Sequence, residues 1–192
     1  MIERPRDLGA GQMLKPGAVA ARSDADRAAA FTELTERHLD ASYRLAALLM
    51  DNWTDAEDAT HDAVILAWQR WSSLRDRERF PAWFQRILVN VCRDRMRRRR
   101  LRPVVLDPGD PPGPDPFAGS PERAALRQAL DHLSPDHRTV IVLRFFADLG
   151  VDEIAERTGE RAGTVKSRLH YALSSLRAEW DAADRTSAEV VR

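Results

Sequence analysis

Seven of the chain's eleven prolines, with three glycines, three aspartates and no basic residue, crowd into residues 103–121. Proline removes a backbone donor and fixes φ, so neither a helix interior nor a central strand runs through such a stretch. The chain therefore folds as two pieces joined by an acidic, Pro-rich linker. With 192 residues in all, each piece is long enough to bury a small core. At about 3.1 Å per residue the extended linker reaches at most roughly 59 Å.

Helical spacing of apolar residues governs both pieces, and no strand signal competes with it. Residues 1–22 carry Gly, Pro and Ala without periodicity and read as a disordered or loosely attached leader. Ser23 and Asp26 approximate a capping box, after which Phe31, Leu34, His38, Leu45, Leu48 and Leu49 predict a helix ending near Asp51 and Asn52. Thr54 and Glu57 form a second capping box. Behind it Ala56, Ala59, Ala63, Val64, Ala67, Trp68 and Trp71 make an apolar stripe. Ser72 to Arg79 is a polar loop, and Pro81 suits the first turn of a third helix. Phe84, Ile87, Leu88 and Val91 give that helix an inner face.

Beyond the linker, Ser120-Pro121 and Ser134-Pro135 each place an N-cap before a first-turn proline. Leu126, Ala129, Leu130 and Leu133 line the first of these helices; Val140, Ile141, Leu143 and Phe145 populate the next. Asp152 to Thr158 is a short helix closed by Gly159, and the helix after Gly163 buries Val165, Leu169, Ala172, Leu173 and Leu176. A short helix, a glycine turn and a second amphipathic helix form a helix-turn-helix pattern. The expected fold is all-α: a three-helix domain over 23–102, a linker over 103–120, a helix-turn-helix domain over 121–180 and a tail over 181–192.

The formal net charge is zero, yet the charge is strongly blocked. Residues 51–62 hold five acids and no Lys or Arg; residues 93–102 hold seven Arg and one Asp. From 161 to 177 the chain carries Arg161, Lys166, Arg168 and Arg177 and no acid. Such blocks let one chain hold nucleic acid with two basic surfaces and a protein partner with an acidic one. Bland readings stand beside this one. An Arg run complements a helix C-terminus, and acids in a first turn cap a helix. Since 28 of the 30 basic residues are Arg, single arginines carry little information. Trp68 and Trp71 read as core, whereas Phe80 and Trp83 suit either core or a base-stacking surface.

Cys92 is alone, which excludes an intrachain disulfide or a cysteine-rich zinc site and suits a reducing cytoplasm. It reads as a buried small hydrophobe. The longest apolar runs, Leu45 to Met50 and Ala63 to Trp68, are six residues against roughly 18 for a membrane span. No apolar stretch of the secretory kind follows the charged N-terminus. Asp58, His61 and Asp62 also suit exposed positions on a capped helix, and no second ligand cluster accompanies them, so no metal is expected. Phosphate-loop, G-x-S-x-G and H-E-x-x-H motifs are absent, so neither catalytic residue nor cofactor is expected.

Three stretches carry a resemblance. D-A-E-D-A-T-H-D-A-V-I-L-A-W, residues 55–68, resembles region 2.2 of the extracytoplasmic-function sigma factors, small two-domain sigma subunits of bacterial RNA polymerase in the sigma-70 family. F-P-A-W-F-Q-R-I-L-V-N-V-C-R-D-R-M-R-R-R-R, residues 80–100, is similar to their regions 2.3 and 2.4. A-L-D-H-L-S-P-D-H-R-T-V-I-V-L-R-F-F, then D-E-I-A-E-R-T-G and G-T-V-K-S-R-L, is similar to region 4. The likeness spans about 31–180, most of the chain, and the three motifs in this order around an acidic linker are highly specific.

The resemblance implies roles. Asp55, Glu57, Asp58, Asp62, Gln69 and Arg70 would dock on core RNA polymerase, chiefly its β′ subunit, with β the other contact. Phe80, Trp83, Arg86, Asn90, Arg93, Arg97 and Arg98 would read and open the −10 element, with a flipped base taken up by the Ser72–Phe80 loop. Arg144, Thr164, Lys166, Ser167, Arg168, His170 and Tyr171 would read the −35 element, Arg144 through phosphate. Tyr171 stands where many members have Arg, and Val151 where Ser or Thr often caps the short helix, leaving Asp152 as the alternative cap. A cognate anti-sigma factor and a cytoplasmic location without membrane insertion are also implied. A stand-alone helix-turn-helix regulator would not need the acidic second helix. An adaptor that only sequesters a partner would not need the Arg-rich helix ends.

Overall fold

The computed structural model describes residues 16–50, 52–101 and 121–190. Within them lie seven helices and no strand. They are α1 (Pro16–Leu49), α2 (Trp53–Gln69), α3 (Phe80–Leu101), α4 (Pro121–Asp131), α5 (Pro135–Phe145), α6 (Val151–Thr158) and α7 (Ala162–Val190). The all-α expectation holds. Residues 1–15 of the expected leader and the linker, with Ser120, lie outside the described residues. So do Val191 and Arg192.

α1, α2 and α3 pack on one another through small and aromatic residues. Ala56, Ala59, Ala63 and Ala67 are fully buried along one face of α2. Their lack of bulk lets α1 and α3 approach closely from either side. At one end Phe31, Trp71, Phe80 and Phe84 interlock, with the Phe80 and Phe84 rings stacked 5.5 Å apart. The polar loop between α2 and α3 is thus pinned by two buried aromatics, Trp71 and Phe80. It contains two 3₁₀ turns, Trp71–Ser73 and Arg77–Arg79, rather than irregular chain.

In the second half, Leu143, Ile154, Val165 and Ala172 knit α5, α6 and α7 together. Ser134 caps α5, accepting from the His137 N–H at 3.2 Å. Gly159 ends α6 with φ of 70°, a left-handed conformation that favours glycine, and so sets the helix-turn-helix angle.

The two halves are in contact. α3 lies against α5 and α6, and α1 against α5. That is why all of Leu45 to Met50 is buried: this end of α1 is covered on every side. Its last carbonyls have no helical partners, and arginines from the second half supply them. Arg127 donates to the Ala47 and Met50 carbonyls at 3.1 and 3.0 Å, and Arg138 to the Leu49 carbonyl at 3.0 Å.

Several boundaries differ from expectation. α1 starts at Pro16, so Ser23 lies inside the helix instead of capping it. The N-cap of α2 is Asn52, not Thr54: its side chain accepts from the Asp55 N–H at 2.7 Å, ahead of the position the capping-box motif suggests. α6 is capped at Gly150, whose N–H donates to Glu153 at 2.8 Å, so Asp152 is not the cap. Phe145, Leu126, Leu173 and Trp68 are exposed, contrary to their place in apolar stripes. Phe145 is the last residue of α5, where no neighbouring helix covers the stripe.

Candidate nucleic-acid interface

Asp55, Asp58 and Asp62 recur at i, i+3 and i+7, so they share one face of α2. α3 runs alongside and meets them with its own cations. Arg95 donates through Nε to Asp62 at 3.1 Å and through Nη1 to Asp58 at 3.4 Å, while Arg99 pairs with Asp55. Burial works to lower the Arg95 pKa, but Asp62 and Asp58 outweigh it and the net shift is upward. Asp58 and Asp62 still expose about half of each side chain (59% and 49%). A basic partner can therefore reach them, but only by competing with Arg95. Glu57 is half-buried and helps to raise the Tyr43 pKa, after the larger effect of burial. Gln69 and Arg70 are exposed at the helix end. The structure brings all six proposed docking residues onto one helix and its C-terminus.

The basic surface of α3 is divided. Arg86, Arg97 and Arg98 are exposed; Trp83 and Asn90 are half-buried. Phe80 is fully buried, and its ring faces Phe31, Trp71, Trp83, Phe84 and His38. It offers no face to a base in this arrangement and serves to anchor the loop. Arg93 does not face outward in this structure. Only 6% of its side chain is exposed. Nη1 donates to the Thr158 carbonyl at 2.9 Å, and Nη2 donates to Glu160 at 2.7 Å and Asp136 at 3.1 Å. Its Nε is buried without a partner.

The helix-turn-helix face on α7 shows a similar split. Lys166, Ser167, His170 and Tyr171 are exposed, Thr164 is half-buried, and the Ser167 hydroxyl donates back to the Thr164 carbonyl at 2.9 Å. Arg168 instead turns inward, within 3.2 Å of Asp136 and 3.0 Å of Glu160. Arg144 is exposed at the end of α5 and donates to the Leu149 carbonyl at 3.1 Å.

Asp136 and Glu160 are the residues that sequence reasoning missed. Asp136 looks like an ordinary first-turn acid behind a Ser-Pro cap, and Glu160 like a turn residue after a C-cap glycine. Their arginine partners lie as far as 67 residues away in sequence. Burial works to raise the Asp136 pKa, but Arg93, Arg168 and Arg97 hold it below its usual value. Arg93 and then Arg168 lower that of Glu160. Among the described residues, no group of three or more His, Cys, Asp or Glu side chains is placed to hold a metal ion. Within the same residues no helix is long and apolar enough to cross a membrane. Cys92 is fully buried, and burial pushes its thiol up to about 12.

Comparison with known proteins places these surfaces in a family. The Sigma-70 region 2 family model matches residues 34–102, and the Sigma-70, region 4 model matches residues 129–178. The RNA polymerase sigma-E factor of Streptomyces coelicolor is 34% identical over 155 residues, covering 80% of this chain and 88% of the relative. The ECF RNA polymerase sigma factor SigL of Mycobacterium tuberculosis is 34% identical over 159 residues, covering 80% of this chain and 90% of the relative. Among solved structures, the sigma factor RpoE of Bartonella quintana, in complex with the anti-sigma factor NepR, aligns with a TM-score of 0.61 at 26% identity. That alignment covers 77% of this chain and 94% of the other. Matches to both sigma regions, along most of two such relatives, make the chain a member of the extracytoplasmic-function group of the sigma-70 family of RNA polymerase sigma factors.

Proposed function

We propose that the chain binds core RNA polymerase through α2 and directs promoter-specific initiation. In this reading α7 reads the −35 element, α3 and the loop before it read and open the −10 element, and residues 103–120 span the gap between them. The observation that carries the reading is the presence of an acidic helix face and two cationic helices on one chain. A regulator that needs DNA alone has no use for the first. The work takes place in the cytoplasm, with core polymerase supplying the catalytic groups. The reported complex of RpoE with an anti-sigma factor supports a partner of that kind here.

The energetics need no nucleotide hydrolysis. Extruding a base costs a few kcal/mol, and a stacked or pocketed base returns about 1–3 kcal/mol. Exposed Arg86, Arg97 and Arg98 add phosphate contacts that release counterions. On α7, Lys166 is exposed, and its ammonium would pair with guanine O6 and N7 in the major groove. Half-buried Asn90 lies midway along α3 and would meet a strand exposed only after melting.

The two reading surfaces belong to small halves on a tether, so core must fix their spacing. Binding of a promoter duplex should therefore be weak for the isolated chain and gain strongly when core is added. Equally tight and sequence-specific binding with and without core would favour the stand-alone regulator.

A further inference from the structure

A cavity of about 450 Å³ lies where α1 and the first turns of α3 meet α6 and the chain just after α5. Ala41, Ser42 and Ala82 stand along it, and their small side chains leave the space open. Leu45 and Phe84 form a buried apolar floor, and Phe146 borders the cavity from the second half. Arg157 of α6 lines it as well, with only 10% of its side chain exposed. The other buried arginines among the described residues each have a carboxylate at 2.7 Å, Glu160 for Arg93 and Asp131 for Arg138. Arg157 has its chain neighbour Glu156 at 3.5 Å, and 68% of that side chain is exposed. Its Nε donates to the neutral Gln85 at 3.1 Å, and its Nη2 has no acceptor among the described residues. We propose that this cavity binds a small amphipathic anion, an aromatic or branched aliphatic body carrying one carboxylate, with Arg157 as the anchor.

A guanidinium nine-tenths removed from water is unfavourable unless an opposite charge compensates it. An anion in the cavity supplies that charge through short, charge-assisted hydrogen bonds. The volume lies within the range of roughly 300–1,000 Å³ that small-molecule sites occupy, and an apolar wall with few polar groups is their usual lining. The Ser42 hydroxyl is already engaged, donating to the His38 carbonyl at 2.8 Å, so Arg157 is left to fix the orientation of the ligand. The charges around the site set the ligand's own charge. Arg44 and Glu78, both exposed, line the cavity with opposite signs, and Glu156 lies behind Arg157. Two cations against two acids favour a single negative charge on an apolar body over a nucleotide or another polyanion. The site uses none of the residues assigned above to polymerase or DNA, so it stands apart from that function.

The test uses the full chain without DNA or polymerase and two dyes with the same aromatic rings. Anilinonaphthalene sulfonate carries one negative charge, and phenylnaphthylamine carries none. Each is titrated by fluorescence, with stoichiometry from calorimetry. R157Q removes the anchor, and R37Q removes a charge from an exposed position as its control. A41W fills the mouth of the cavity from the exposed side of α1. The proposal expects the parent to bind one sulfonate dye per chain, and A41W to lose that binding. R157Q should weaken the sulfonate dye about tenfold to a hundredfold, the loss of a buried hydrogen bond to a charged group. Phenylnaphthylamine should bind R157Q as it binds the parent, and R37Q should match the parent with both dyes. Sulfonate binding that survives A41W belongs to other exposed apolar residues and overturns the proposal. An equal effect of R157Q and R37Q, or an equal effect of R157Q on both dyes, also overturns it. If R157Q loses its helical circular dichroism, the parent and A41W decide instead. The sulfonate dye should then raise the urea midpoint of the parent and leave that of A41W unchanged, and an equal rise in both overturns the proposal.

Discussion

Arg138→Met tests how far a single buried cation holds the second half together and against α1. The Arg138 side chain is 3% exposed. Nε donates to the Leu130 carbonyl at 2.9 Å, Nη1 to the Leu49 carbonyl at 3.0 Å and Nη2 to Asp131 at 2.7 Å. Methionine fills the aliphatic part of the space but donates nothing. Asp131, with 39% of its side chain exposed, recovers water; the two carbonyls do not while the halves stay together. Hydrogen bonds to a charged donor contribute about 1.5–3 kcal/mol each, so the loss is about 3–6 kcal/mol in that case. If α1 parts from α5, water reaches Leu49 and only the Leu130 bond is lost, about 1.5–3 kcal/mol. Urea unfolding distinguishes these outcomes when followed by two probes. Four of the five tryptophans, Trp53, Trp68, Trp71 and Trp83, lie in the first half, so fluorescence reports mainly on it while circular dichroism reports on all helices. Coincident transitions with the larger loss mean that the halves unfold together. An earlier transition by circular dichroism, with the smaller loss, means that they part first. A loss below about 1 kcal/mol by both probes would refute the assignment of Arg138 as an anchor.

Charge reversal at Asp58 and Asp62 should weaken binding to core while leaving circular dichroism native; normal core affinity would sink the docking assignment. Gly159→Ala should cost about 1–2 kcal/mol in thermal or urea unfolding, because an alanine at φ of 70° is strained. Asp136 and Glu160 both have pKa values below their unfolded values, so the stability their ion pairs contribute is present above the carboxylate range and lost as pH falls through the folded values. With Arg93, Arg97 and Arg168 charged throughout, the midpoint of urea unfolding should fall from this source only below about pH 4. Cys92, with its thiol pushed up to about 12, should resist a thiol reagent at pH 8 until urea unfolds the chain.

Local signals in the sequence located most of the helices. Ser134-Pro135 and Gly159 mark α5 and α6 because caps and left-handed turns depend on neighbours a few residues away. Asn52 was legible in principle as a cap, but the stronger-looking Thr54 motif lies only two residues on. Phe80 shows the limit of reading a single position. An aromatic beside a polar loop fits a base platform or a loop anchor equally well, and only the packing of Phe31, Trp71 and Phe84 around it decides. Asp136 and Glu160 were not legible at all, because their significance comes from arginines on other helices. The outward Lys166, His170 and Tyr171 followed from helical period alone, whereas the inward turn of Arg168 depends on how the two halves meet.

The central claim, that this chain directs promoter-specific initiation, is tested most directly by run-off transcription with core RNA polymerase on a library of fragments from the genome that encodes it. The account predicts core-dependent transcripts with discrete 5′ ends. Each should be preceded by two shared sequence elements separated by about 17 base pairs, the span of an extended linker of roughly 59 Å at 3.4 Å per base pair. Transcripts that do not depend on the added chain, or 5′ ends with no shared upstream elements, would contradict it.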